Sequence, residues 1–134
     1  MSSIKHLQSA TQIIELDGIK VLTDPWLVKG EYLGSWFHYP PFNELNIKKL
    51  EYDFIYVSHI HPDHLSEKTF ELLPKKAPVL ICKFDSIFLK KKIESFGFEC
   101  LEINHAEPFF LSDKFKLTIF RADNCDPEKC GKFF

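Results

Sequence analysis

Residues 57–66 read VSHIHPDHLS, and both the fold and the chemistry of the chain turn on them. Three of the chain's six histidines and one aspartate fall within positions 59–64. Just before them, DFIYVS (53–58) is an apolar, β-prone run. Just after them, Ser66 is a candidate N-cap for a helix over EKTFELL. The cluster therefore sits at a strand-to-helix junction. His59 and His61 are two apart, so an extended strand end turns both to one side. Asp63 and His64 come from the next turn, which Pro62 favours by fixing φ. Neutral imidazole and carboxylate are ligands for divalent transition metals. His59, His61, Asp63 and His64 are therefore the candidate metal ligands. The alternative is an exposed polar loop with chance histidines, and the apolar strand that leads into it argues against that.

The surrounding composition suits one globular domain over residues 1–134, with 45% hydrophobic and 27% charged residues. Fourteen phenylalanines predict an aromatic-rich core or an apolar interface. The net charge is −2 and the longest basic run is Lys90–Lys92, so no nucleic-acid partner is expected. No apolar stretch is long enough to span a bilayer, and MSSIKHLQSA lacks the apolar centre of a signal peptide. A cytoplasmic location with unpaired cysteines is the expectation. Cys82 and Cys100 read as buried thiols in strands. Cys125 and Cys130, in NCDPEKC, are only half of a structural zinc site and read as free thiols.

Along the chain, IKHLQSATQIIEL (4–16) and IKVLTD, joined by the Asp17–Gly18 turn, predict an N-terminal hairpin. The loop PWLVKGEYLGSWFHYPPF (25–42) is rich in aromatics. Trp26, Trp36, His38 and Tyr39 are candidate substrate-binding residues, with packing as the alternative. A short helix is expected over 43–50 and a buried strand over VLIC (79–82). A third helix over IFLKKKIESF should be capped by Asp85 or Ser86, be stopped by Gly97, and place Ile87, Phe88 and Ile93 near one face. ECLEI, PFFL and FKLTIF are further strands. Alternation in the middle and hairpins at the ends predict an α/β fold with a mixed sheet and helices on one face.

HIHPDH resembles the His-x-His-x-Asp-His signature of the metallo-β-lactamase superfamily, and LTDPWL (22–27) resembles the strand-end aspartate of the same fold. The Asp-Pro-Trp form is similar to a branch containing ascorbate-6-phosphate lactonase, N-acyl phosphatidylethanolamine phospholipase D and the hydrolase-like domain of CMP-N-acetylneuraminate hydroxylase. The resemblance implies that His59 and His61 hold one metal and that Asp63 and His64 contribute to a second. It implies that Asp63 also orients the attacking water or takes its proton, and that Asp24 supports the site. Capping of its own turn is an equal role for Asp24. It implies metal-dependent hydrolysis of an ester, lactone or phosphodiester-type bond in a small-molecule substrate. The expected cofactor is one or two Zn²⁺, with Mn²⁺ or Fe as alternatives.

The sequence departs from that pattern after His64. His105, between two strands, reads as structural or exposed rather than as the next ligand. Asp123, after FKLTIF, is the better candidate, as a carboxylate in place of imidazole; an ordinary turn role competes. The resemblance implies about one half of a four-layer αβ/βα sandwich, an N-terminal portion without the bridging aspartate, last histidine and second sheet. One sheet face is then expected to lie bare and favour self-association. Two other functions stand beside the hydrolase. One is an accessory domain of an oxidoreductase of the sialic-acid-hydroxylase kind, although the paired Cys-His motifs of a Rieske cluster do not occur in this sequence. The other is a non-catalytic metal-binding remnant or interaction module.

Overall fold

The computed structural model describes residues 2–74 and 76–121. Eight strands form a six-stranded mixed sheet and a separate hairpin, as the alternation of elements predicts. β1 (Ser2–Gln8), β2 (Thr11–Leu16) and β3 (Ile19–Thr23) form an antiparallel meander. β4 (Phe54–Tyr56), β5 (Val79–Cys82) and β6 (Cys100–Ile103) then add in parallel, in spatial order β1-β2-β3-β4-β5-β6. Between β3 and β4 lie α1 (Glu31–Gly34) and a 3-10 helix (Glu44–Lys49) capped by Asn43. α2 (Glu67–Leu72) and α3 (Phe88–Ser95) are the crossovers between parallel strands.

Two expectations about local structure are corrected. Segment 4–16 is two strands, because the chain reverses at Ser9–Ala10 with Ser9 at φ 45°. The second turn is Asp17–Gly18, both at positive φ, the type I′ pairing that matches strand twist. In α3, Ile87 and Phe88 are exposed, and the buried pair is Leu89 and Ile93, one turn apart on one face. Its N-cap is Ile87, without a side-chain bond; Ser86 Oγ only accepts the Phe88 N–H at 3.3 Å. Ser66 and Gly97 behave as read: Ser66 Oγ accepts from Thr69 N, and Gly97 ends α3 at φ 82°.

Register assigns the two sheet faces. Ile13, Leu22, Ile55, Val79 and Cys100 form one transverse row. This is the helix side, since Glu102, two residues beyond Cys100 on the same face, pairs with Lys90 of α3 at 3.0 Å. The opposite row, Gln12, Thr23, Tyr56, Leu80 and Leu101, was expected to be bare. Instead β7 (Pro108–Phe110) and β8 (Lys116–Thr118) form a hairpin against the core, with Phe115 and Ile119 buried. A groove of about 560 Å³ remains between Ile14, Val21 and Tyr56 on one wall and Leu117 and Phe120 on the other. Cys82 and Cys100 are buried free thiols, and burial pushes Cys100 up to about 12. Among the described residues no helix is long and apolar enough to cross a membrane.

Candidate metal centre

The site lies at the carboxyl ends of β3 and β4, where open α/β sheets build their binding sites. β3 delivers Asp24 and β4 delivers Ser58 and His59. Asp24 continues the ladder, donating its N–H to Tyr56 O at 2.8 Å, and then turns at φ 39°. Two fully buried threonines fix the path of residues 24–27. Thr11 Oγ1 donates to Asp24 O at 2.8 Å and accepts the Trp26 N–H at 3.0 Å. Thr69 Oγ1 of α2 accepts the Leu27 N–H at 3.0 Å. The strained residue at 24 is thus held from both sides, a recurring feature of functional sites.

Asp24, only 7% exposed, organises the histidines. Its Oδ1 accepts the Ser58 N–H at 2.7 Å, and its Oδ2 accepts the Ser58 hydroxyl at 2.8 Å. His64 Nδ1 lies 3.0 Å from the same Oδ2 and donates to it. Ser58 has spent its one proton on Asp24, so its oxygen accepts from His59 Nδ1 at 2.9 Å. These bonds put a proton on both Nδ1 atoms, leaving His59 Nε2 facing His61 Nδ1 and His64 Nε2 facing the Asp63 carboxylate. Asp24 thus holds His64 directly and His59 through Ser58.

The remaining ring nitrogens meet partners in two pairs. His59 Nε2 stands 3.1 Å from His61 Nδ1, and His64 Nε2 stands 3.4 Å from Asp63 Oδ2. Two donors each about 2.0–2.1 Å from a tetrahedral zinc are about 3.3 Å apart. Both observed spacings are near that edge length, so the donor set fits divalent metal, two donors per pair. Among the described residues no three His, Cys, Asp or Glu side chains are gathered to hold a metal ion. Each pair contributes two donors, where zinc sites use three or four. Burial, with the nearby His64 and His61, holds His59 below the ordinary histidine value. Burial acts to lower His64 too, but the hydrogen bond and charge of Asp24, with the charge of Asp63, more than offset it, and the net shift is upward.

Other candidates separate. Trp26 is buried with Leu27, Val28 and Ile47, so its reading as a substrate contact is corrected: the threonine anchors turn it into a second small core. His38 stacks on it at 3.9 Å between centroids and directs Nε2 to Trp26 O at 2.9 Å. Trp36 is half exposed and packs on Tyr32 at 4.7 Å, while Tyr39 is fully exposed. His105 is exposed, its Nδ1 accepting the Arg121 N–H at 3.1 Å. Asp123, Cys125 and Cys130 lie outside the described residues. Sequence reading missed Ser58, adjacent to the motif, and Tyr32, whose hydroxyl donates to Asp63 Oδ1 at 2.7 Å. Only the aromatic density of its loop marked Tyr32.

A family model described as the beta-lactamase superfamily domain matches residues 3–119. The chain belongs to this superfamily. Its relatives include a protein of Mycolicibacterium smegmatis named as a Rieske 2Fe-2S iron-sulfur protein, 35% identical over 73% of this chain and 18% of its own. Another is the cytidine monophosphate-N-acetylneuraminic acid hydroxylase of Asterias rubens, 39% identical over 56% of this chain and 12% of its own. The chain thus spans less than a fifth of the length of these relatives. Among solved structures, a metallo hydrolase from the archaeon Ignicoccus hospitalis aligns with a TM-score of 0.55 at 18% identity, covering 82% of this chain and 42% of that one. The diiron β-hydroxylase CmlA from Streptomyces venezuelae also gives 0.55, at 20% identity over 81% of this chain and 22% of that one. At such identities the likeness is one of fold. The superfamily member has a metallo-hydrolase-type fold.

Proposed function

We propose that this chain carries the first half of the ligand set of a two-metal hydrolase. The observation behind the reading is the close approach of His59 Nε2 to His61 Nδ1 and of Asp63 Oδ2 to His64 Nε2, over one Asp24–Ser58 network. His59 and His61 would hold one ion, and Asp63 and His64 the other. A divalent metal there supplies a lowered pKa for water and stabilisation of the negative charge that develops on an ester, lactone or phosphodiester-type centre. The chain's own part is geometric and protonic. Asp24 and Ser58 keep the Nε2 lone pairs of His59 and His64 turned inward. Asp63 orients the attacking water and takes its proton. Zn²⁺ suits imidazole and carboxylate donors; iron competes, given the diiron hydroxylase among the structural neighbours.

The test is the metal content of the purified chain beside His61→Ala and Asp63→Ala. Both variants are expected to lose metal, and equal content in all three would remove the assignment. Hydrolysis of ester, lactone and phosphodiester substrates by the loaded chain then addresses the reaction. A second reading is favoured by the relatives named for a Rieske cluster and for hydroxylation. In it the domain is a substrate- or metal-holding accessory of an oxidoreductase. Binding of CMP-N-acetylneuraminic acid with no hydrolysis of any substrate in the panel would select it.

A further inference from the structure

We propose that Tyr32 is a positioning residue for Asp63, held over the site by a strained strap of residues 30–36; this rests on the metal reading above. Gly30, Tyr32, Leu33 and Gly34 all take positive φ, at 78°, 49°, 58° and 83°. For a non-glycine residue that conformation costs about 1–2 kcal/mol. Burial does not offset the strain, because α1 contains no buried residue and Leu33 is fully exposed. Backbone bonds close the strap instead: Gly30 N to Trp36 O at 3.1 Å, Trp36 N to Glu31 O at 3.1 Å, and Gly34 N to Gly30 O at 3.0 Å.

Two side chains then tie it to the motif. Tyr32 OH donates to Asp63 Oδ1 at 2.7 Å, and Glu31 Oε1 accepts the Ser66 hydroxyl at 2.5 Å. The Trp36 ring backs the Tyr32 ring at 4.7 Å. The strap is thus strained, poor in buried contacts and fastened at Asp63 and at the cap of α2. The chemical consequence is specific. A carboxylate with one oxygen engaged by a hydroxyl cannot turn that oxygen inward, so Oδ2 remains opposite His64 Nε2. Asp63 is held as a one-oxygen donor with the other oxygen satisfied, the role of an outer hydrogen-bond partner at a metal site.

The test uses Co²⁺, whose visible absorption reports both occupancy and coordination, titrated into the full chain. Tyr32→Phe removes one oxygen and is expected to weaken Co²⁺ by about ten-fold and to alter its visible bands. Trp36→Leu, which loosens the ring contact and leaves the hydroxyl, is expected to weaken it by a smaller factor. In an Asp63→Asn background, Tyr32→Phe is expected to add nothing. Three results overturn the proposal: Tyr32→Phe within two-fold of the parent; the same loss in the Asp63→Asn background, which would mean that Tyr32 acts elsewhere; and no change from Trp36→Leu. If the parent chain gives no Co²⁺ bands, the metal reading fails and this inference fails with it. That outcome is distinguishable from the other three, in which the parent binds.

Discussion

Asp24→Asn is the sharpest perturbation of the site, since it changes one atom at the centre of the network. Asp24 accepts three hydrogen bonds, from Ser58 N–H, Ser58 O–H and His64 Nδ1–H. Asparagine keeps one oxygen, which still serves the Ser58 N–H. Its NH₂ then faces two donors. Ser58 turns its hydroxyl away, and His64 changes tautomer so that Nδ1 accepts. Hydrogen bonds to charged groups contribute about 1.5–3 kcal/mol each, and two are lost. Relief of carboxylate desolvation and formation of one new neutral bond recover part of this, leaving a net loss of about 2–4 kcal/mol. The tautomer change has a second effect, because it puts a proton on His64 Nε2, the nitrogen that faces Asp63. Metal affinity should fall by about 10–100-fold. Urea unfolding of the metal-free chain, followed by tryptophan fluorescence, measures the first effect, and Zn²⁺ competition against a chromophoric chelator measures the second. A variant within about 0.5 kcal/mol of the parent and of equal affinity would refute the network argument.

Ile93→Ala should cost about 2–5 kcal/mol in urea unfolding, since Ile93 is fully buried between α3 and the sheet; a loss below about 1 kcal/mol would mean that α3 does not pack as described. Gly97→Ala should destabilise by about 1–2 kcal/mol, because residue 97 ends α3 in the left-handed region and its Cβ would also meet the flexible end of Lys76; equal thermal midpoints would contradict that backbone. His38 gives a pH signature, since burial holds it below the ordinary 6.5 despite its bond to Trp26 O. Its unfolded form binds the proton more readily, so its contribution is complete above about 6.5 and is lost as pH falls toward the folded value. His38→Asn should flatten the acid side of the stability curve below about pH 6.5, and superimposable curves would sink the assignment.

Much of the site was legible because its information is local. The ligand types, their spacing and the strand-to-helix junction all lie within VSHIHPDHLS, and adjacent residues stay adjacent in any fold. Ser66 and Gly97 were readable for the same reason, since a cap acts within one turn. The mixed sheet with helical crossovers also follows from the order of patterned segments. Misreadings begin where local signals are weak or partners are distant. The reversal at Ser9–Ala10 carries no Gly, Pro or Asn, so β1 and β2 read as one run. Ile87 and Phe88 are apolar and helical in pattern, but only packing decides that Leu89 and Ile93 face inward.

By itself, then, the sequence determined which chemistry is on offer: imidazole and carboxylate donors at the mouth of a buried strand, in a superfamily pattern. Only the tertiary structure decided how those donors are held. Asp24 reaches Ser58 and His64 across 34 and 40 residues, and Tyr32 reaches Asp63 across 31. It is also packing, through Thr11 and Thr69, that buries Trp26 rather than opening it to a ligand. Periodicity and spacing describe neighbours along the chain. Tautomers, second hydrogen-bond partners and strain depend on neighbours across it, and those exist once β3 and β4 lie side by side.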